Sequence, residues 1–346
     1  MLITALCTLL LNPFITQEAG ASSVPASNWR LNFVENDALP PGYLQLRIPR
    51  ADDGTVQTAF LYAPEAERAR RKPLLVFVDG SGAQSQFIRM EKGTAVGVFG
   101  AMARDVVADY HVAACEKRGV EFGDGAHGAG AALDASPEYN QHATFHDRVA
   151  EVRRLLDALL AQPAIDPSRV LVIGHSEGAV VAAGVAAADP RVTHVACLSG
   201  NGVTQLFDFL VQRRKQMQEQ GATAEQIESE IAKLEAEYRE IFADPESTTR
   251  QFMGHAFRRW SSFCANPPAD TLKRTRARIF LAHGSADESV PIESFDAMVA
   301  DLIRANTPNV TVRRYAGYDH GLRPVGQAQT RPLSGVLEEI LKWAAE

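Results

Sequence analysis

The chain has 346 residues, of which 46% are hydrophobic and 22% are charged, a composition typical of a folded globular protein. Its formal net charge of -7 and its pI near 5.8 argue against a nucleic acid or an anionic membrane as partner. The four cysteines have no metal-type spacing, so no metal site is predicted.

The N-terminus carries a predicted export signal. Leu2 to Leu11 form an apolar run as long as a signal-peptide core, and Ala19-Gly20-Ala21 resembles a cleavage site. The usual positive charge is missing, because no Lys or Arg precedes Arg30. We expect residues 1–21 to be a signal peptide and the protein to be exported to the periplasm or the medium. A buried N-terminal segment or a misassigned start codon, with a cytoplasmic protein, is the alternative. The run is too short to span a membrane, so no integral membrane segment is expected.

From residue 43 onward, short β-rich runs alternate with longer helical stretches, as in βαβ units around a mainly parallel sheet. Residues 74–78 and 170–173 are continuously apolar, as strands buried on both faces are. The sequence therefore predicts an α/β fold with a mostly parallel eight-stranded sheet and helices on both faces. The predicted strands are 43–48, 56–62, 74–78, 111–115, 170–173, 192–198, 279–282 and 310–315, and the predicted helices are 95–108, 142–161, 177–188, 292–305 and 333–345.

Residues 203–275 interrupt the alternation and divide the predicted core into 22–202 and 276–346. Apolar residues between 212 and 240 recur at helical spacing, which predicts one amphipathic helix or two helices with a break near Gly221. The insertion starts beyond the carboxyl end of a strand, the edge where ligands bind in open α/β sheets. We expect a helical cap over the site; a surface insertion with no role in chemistry is the alternative.

The clearest catalytic motif is Gly174-His175-Ser176-Glu177-Gly178, which lies between a predicted strand and a predicted helix. This is the Gly-x-Ser-x-Gly elbow in the strand–turn–helix context that it requires. The glycines at 174 and 178 allow the close backbone approach of so sharp a turn. Ser176 is the predicted nucleophile.

A serine hydroxyl needs a base that takes its proton, and a third group that orients the base. Asp287 follows the predicted strand 279–282 and His320 follows the last strand, so both lie at the same sheet edge as Ser176. We predict His320 as the general base and Asp287 as the acid that orients it. Glu288 and Asp319 are alternative acids.

The segment His283-Gly-x-x-Asp287-x-x-Val290-Pro291, followed by His320-Gly321, resembles the α/β-hydrolase superfamily. The Gly-His-Ser-Glu-Gly elbow is most similar to its dienelactone hydrolase, acyl-thioesterase and prolyl-oligopeptidase-like branches. The similarity covers residues 55–202 and 277–346 and is weakest in 203–275. It implies the α/β-hydrolase fold with Ser176, Asp287 and His320 as the triad.

A tetrahedral intermediate also needs two backbone N–H donors for its oxyanion. We predict the N–H of Glu177, at the start of the helix after the elbow, and the N–H of Ser81. Asp79-Gly80-Ser81-Gly82 stands where many esterases carry His-Gly-Gly-Gly, and Gly80 and Gly82 are predicted to contact substrate. A plain tight turn is the alternative for this segment.

The loop Glu116-Lys117-Arg118-Gly119 follows a predicted strand at the same edge. It either holds a substrate carboxylate or forms a salt-bridged anchor, and the sequence favours the anchor.

These residues predict a serine hydrolase that cleaves a small-molecule carboxylic ester or thioester through an acyl-enzyme on Ser176, with no cofactor. A prolyl-oligopeptidase-like peptidase and a non-catalytic binding protein of the same fold are the alternatives. The sequence leaves the acyl chain length and the oligomeric state open.

Overall fold

The structure is a computed structural model that describes residues 29–31, 33–90, 93–125, 135–327 and 329–346. The predicted signal peptide, residues 1–21, lies outside the described residues and stays a prediction.

The described residues form thirteen strands and eleven helices. The strands are β1 (Phe33–Val34), β2 (Tyr43–Pro49), β3 (Val56–Tyr62), β4 (Lys72–Val78), β5 (Phe87–Met90), β6 (Gly93–Val96), β7 (His111–Cys115), β8 (Ile165–His175), β9 (His194–Leu198), β10 (Gln251–Phe252), β11 (His255–Ala256), β12 (Arg278–Gly284) and β13 (Val310–Tyr315). The helices are α1 (Glu65–Arg68), α2 (Val98–Val106), α3 (Pro137–His142), α4 (Phe145–Leu160), α5 (Glu177–Ala188), α6 (Gln205–Glu219), α7 (Ala224–Ala243), α8 (Phe257–Cys264), α9 (Pro268–Leu272), α10 (Ile292–Arg304) and α11 (Ser334–Ala345).

The main sheet has the strand order β1-β2-β3-β7-β4-β8-β9-β12-β13. Pairing is antiparallel from β1 through β7 and parallel from β7 through β13. All eight predicted strands are in this sheet. The predicted total of eight is one too low, because the two-residue β1 pairs with the edge of β2. So short a strand has no alternation of its own and depends on its partner for hydrogen bonds.

Helices cover both faces of the sheet, as predicted, and each face has its own apolar core. One core joins the sheet to α4, α5, α9 and α10 through residues such as Leu155, Val181 and Phe295. The other joins it to α2 and α11 through residues such as Phe99 and Ile340. Burial on both faces explains the continuous apolar runs in β4 and β8. None of the helices in the described part of the chain is long and apolar enough to cross a membrane.

Between β9 and β12 the chain forms α6, α7, the hairpin β10–β11, α8 and α9. Helices α6 and α7 are separate and break around Gly221, whose φ of 75° is in the left-handed region. A capping box at Thr223 then starts α7. The insertion has a small core of its own, in which Phe209, Phe252 and Trp260 pack edge to face. These aromatic residues therefore hold the insertion together.

Candidate active site

Three predicted site residues follow strands of the parallel part of the sheet. Ser176 lies between β8 and α5, Asp287 lies three residues after β12, and His320 lies in the loop after β13. Because β8, β9, β12 and β13 are parallel neighbours, their carboxyl ends share one edge of the sheet. The topology thus brings residues from distant parts of the chain to one place.

Ser176 has the backbone conformation of a nucleophile elbow. Its φ of 59° and ψ of -128° are unfavourable for a residue with a side chain. The two motif glycines make this turn possible. A Cβ on Gly174 would lie 2.0 Å from the Gly178 carbonyl oxygen, and one on Gly178 would lie 2.2 Å from the Val78 carbonyl oxygen. Neither contact is sterically allowed, so both positions require glycine.

Asp287 and His320 are in direct contact. Nδ1 of His320 lies 3.0 Å and 2.8 Å from the two carboxylate oxygens of Asp287. Burial alone would lower the pKa of His320, but the Asp287 carboxylate outweighs it and raises that pKa above its ordinary value. Burial would raise the pKa of Asp287, but His320 and the backbone N–H of Val290 lower it. The pair therefore favours an ionised aspartate beside a basic imidazole.

The two alternative acids have other contacts. Glu288 is exposed, and its backbone carbonyl accepts a hydrogen bond from Gln212. Asp319 accepts hydrogen bonds from the backbone N–H groups of Gly321 and Arg323 and pairs with the Arg323 guanidinium. Asp319 thus shapes the loop that carries His320.

Two further histidines support the site from outside it. His175 Nε2 donates to the backbone carbonyl of His320 at 2.8 Å, and burial lowers the pKa of His175 to about 4. His283 Nε2 donates to the Val290 carbonyl at 3.0 Å, and its ring stacks on Phe295. Both rings hold loop backbone beside the predicted triad residues.

Within the predicted triad, the contact between acid and base is formed, whereas the contact between base and serine is not. Among the described residues, the Ser176 hydroxyl makes no hydrogen bond, and none joins it to His320. The rings of His175 and His320 have centroids 4.9 Å apart, so the His320 imidazole lies beside the residue that precedes Ser176. The structure joins Asp287 to His320 and leaves the serine hydroxyl open.

The predicted oxyanion donors lie on either side of Ser176. Gly80 passes so close that a Cβ on it would lie 3.1 Å from Ser176 Cβ, which places the 79–82 loop against the elbow. Within the described part of the chain, the N–H groups of Glu177 and Ser81 donate to no acceptor. Both are therefore available to a ligand.

A buried ion network holds the loop that carries Ser81. Lys117 Nζ binds the Asp79 carboxylate and donates to the Gly82 carbonyl at 2.8 Å. Arg148 binds the other Asp79 oxygen at 2.9 Å and also pairs with Glu151. Burial would raise the pKa of Asp79, but these two cations lower it. Lys117 therefore acts as an anchor of the loop, and the Gly82 carbonyl faces this anchor.

Sequence reasoning missed two contacts between the insertion and the site. Arg259 of α8 forms a buried ion pair with Glu177, the residue after the serine. Gln212 of α6 donates to the carbonyls of Glu288 and Ser289, next to Asp287. Neither contact has a local sequence signal, because each joins residues far apart in the chain. Across the described residues, no group of three or more His, Cys, Asp or Glu side chains is arranged to hold a metal ion.

Residues 99–328 match the model of the alpha/beta hydrolase family, and this match covers more than half of the chain. The chain belongs to the alpha/beta hydrolase family. No curated protein matches it by sequence.

Solved structures with the same fold include peptidases and an esterase. A putative dipeptidyl aminopeptidase IV from Bacteroides ovatus is 13% identical to this chain, with a TM-score of 0.58. The match covers 90% of this chain and 37% of the aminopeptidase chain. Acetyl xylan esterase 1 from Thermoanaerobacterium is 17% identical, with a TM-score of 0.54, and the match covers 92% of this chain and 89% of the esterase chain. Est1E from Butyrivibrio proteoclasticus is 13% identical, with a TM-score of 0.51, and the match covers 87% of this chain and 99% of the Est1E chain. This chain thus spans well under half of the dipeptidyl aminopeptidase but most of the other two, and at these identities the likeness shows the fold alone.

Proposed function

We propose that the protein is a serine hydrolase that cleaves a small-molecule carboxylic ester or thioester through an acyl-enzyme on Ser176. The observation that carries this proposal is the contact of Asp287 with His320, at the same sheet edge as the Ser176 elbow. Membership in the alpha/beta hydrolase family supports a hydrolytic activity. The open N–H groups of Glu177 and Ser81 supply what an acyl-transfer transition state requires.

The proposed mechanism assigns one task to each group. Once substrate is bound, His320 Nε2 takes the proton of Ser176 as its oxygen attacks the acyl carbonyl. Asp287 keeps the proton of the imidazole on Nδ1 and stabilises the cation that forms. The N–H groups of Glu177 and Ser81 donate to the oxyanion. His320 then protonates the departing alcohol or thiol, and water, activated by the same imidazole, releases the acid and restores the serine.

The 203–275 insertion belongs to the proposal as a cap. Gln212 contacts the loop of Asp287 at 2.9 and 2.7 Å, and Arg259 contacts Glu177. These contacts bring the insertion to the catalytic edge from two sides. We propose that its residues, together with the loops after the strands, determine which acyl groups fit.

Paired substrates test the proposed reaction class. We expect p-nitrophenyl acetate and a short acyl thioester to be turned over much faster than an aminoacyl-p-nitroanilide. The Ser176→Ala variant is the control, and it should turn over none of them. A preference for the anilide would indicate a peptidase instead of an ester or thioester hydrolase. A folded protein that hydrolyses none of the three, and is not labelled by a fluorophosphonate, would be a binding protein of this fold.

A further inference from the structure

Arg259 lies in α8 of the insertion, far from Ser176 in sequence, yet its side chain reaches the elbow. Its side chain is 2% exposed, and the guanidinium forms an ion pair with the carboxylate of Glu177, whose side chain is 5% exposed. The same Nη2 atom donates to Gln205 Oε1 at 2.6 Å. A charged side chain so fully removed from water is rare unless it is paired with an opposite charge.

Aromatic rings hold the guanidinium in place. The Arg259 Cζ atom lies 4.0 Å from the centroid of the Trp260 ring and 5.2 Å from that of Phe263. Trp260 in turn donates its indole N–H to the Phe252 carbonyl at 2.7 Å. The cation therefore packs against aromatic rings of the insertion, which favour its position beside Glu177.

Glu177 is the residue whose backbone N–H is the proposed oxyanion donor. Its carboxylate is tied by Arg259, and the adjacent Gly178 packs against the Val78 carbonyl. On the other side of the serine, Lys117 binds the Asp79 carboxylate and the Gly82 carbonyl, which flank the second proposed donor, Ser81. Each proposed donor thus lies beside a carboxylate that a buried cation fixes.

We propose that Arg259 is a positioning residue: through its ion pair with Glu177, the insertion holds the first oxyanion donor in place. This inference rests on the proposed function, because it requires an oxyanion at that point. It assigns the insertion a part in transition-state stabilisation besides any part in selecting substrate. Arg259 itself is not assigned a contact with substrate.

The substitution Arg259→Met removes the guanidinium and keeps an apolar stem. Misplacement of a reacting group by about 1 Å can cost about 100-fold in rate. We expect kcat for p-nitrophenyl acetate to fall by roughly 10- to 100-fold, with KM changed less than about threefold, because the donor acts mainly in the transition state. Affinity for a trifluoromethyl ketone, which forms a tetrahedral adduct with serine, should fall in proportion to kcat. Arg259→Lys should restore part of both losses.

Arg258→Met is the matched control. Arg258 precedes Arg259 in the same helix and pairs with Glu246, but this pair is solvent-exposed. We expect the control to keep the wild-type kcat and ketone affinity. Saturating fluorophosphonate labelling counts the competent sites in every variant, so that loss of folded protein is not mistaken for loss of kcat.

A double variant keeps the inference testable if Arg259→Met does not fold. Glu177→Gln/Arg259→Met leaves no stranded charge, and we expect its kcat to be no lower than that of the single variant but still roughly tenfold or more below wild type. A kcat within threefold of wild type in either protein would overturn the inference, as would a loss confined to KM. If the wild-type protein neither labels at Ser176 nor turns over esters, the proposed function fails instead.

Discussion

The substitution Asp287→Asn removes a charge from a buried side chain and keeps its shape. Oδ1 of Asp287 accepts the N–H groups of Ser289 and Val290 at 2.8 and 2.9 Å, so the asparagine must place its carbonyl oxygen there. Its amide nitrogen then faces Nδ1 of His320, which lies 2.8 Å from Oδ2 in the wild-type protein. A donor at that position requires Nδ1 to be an acceptor, and the imidazole proton moves to Nε2. That nitrogen can no longer accept the serine proton.

A wrong tautomer of this kind lowers kcat by about 10⁴ in serine hydrolases, which corresponds to about 5 kcal/mol of activation free energy. We expect a loss of that order for p-nitrophenyl acetate. The neutral imidazole is the active base, so wild-type kcat/KM should rise with pH through an apparent pKa above the ordinary 6.5. Without the carboxylate, burial remains and lowers the pKa of His320, so the residual activity should reach its plateau at lower pH.

The assay is a profile of kcat and kcat/KM from about pH 5 to pH 9, normalised to folded protein. Asp296→Asn, at a solvent-exposed position in α10, is the control for a generic loss of negative charge. If Asp287→Asn kept more than a tenth of the wild-type kcat/KM, with its acid limb unmoved, the orienting role of Asp287 would be wrong.

Three other substitutions have defined outcomes. Burial raises the pKa of Asp208 to about 7, so ionisation of this carboxyl lowers the stability of the protein as pH rises from its unfolded pKa through that value. The free energy of unfolding of Asp208→Asn, measured in urea, should therefore increase by on the order of 2–3 kcal/mol relative to wild type between pH 5 and pH 8. Lys117→Met leaves the buried Asp79 with one cation fewer, and we expect about 3 kcal/mol less stability and at least about tenfold lower kcat. Gly178→Ala places a Cβ 2.2 Å from a carbonyl oxygen and should cost at least about 1–3 kcal/mol and most of the activity.

Each of these has a result that would contradict it, and the substitutions at Lys117 and Gly178 each have a matched control. Parallel pH dependence of unfolding in wild type and Asp208→Asn would show that Asp208 does not titrate in this range. Lys342→Met removes an exposed lysine and should change neither stability nor kcat. If Lys117→Met also changed neither, the anchor role of Lys117 would be wrong. Gly335→Ala, where a Cβ meets no atom within 4 Å, should stabilise α11 slightly, and an equally harmless Gly178→Ala would contradict the steric argument.

The parts of the fold that follow from local patterns could be predicted. The buried runs 74–78 of β4 and 170–173 of β8 are continuously apolar, and α5 starts directly after a glycine-bounded serine. Since parallel strands end at one sheet edge, the order of the elements was enough to place Asp287 and His320 near each other. Their hydrogen bond has the geometry that this placement requires.

Other features depend on contacts that no local pattern encodes. Strand β1 and the hairpins β5–β6 and β10–β11 are too short for a period to be read, and their pairing is stabilised by neighbours. The pair Glu177–Arg259 joins two segments whose relative position only the folded insertion fixes. Asp208 is a similar case, because its 2% exposure is set by the packing of α6 and not by its own sequence context. The predicted domain boundaries and the export signal stay predictions.

The proposed acyl-enzyme is tested most directly by mass spectrometry of the folded protein after reaction with a fluorophosphonate. We expect one adduct per chain, located on the peptide that contains Ser176, absent in Ser176→Ala and formed far more slowly in His320→Ala. An adduct on another residue, or a folded wild-type protein that stays unmodified, would contradict it.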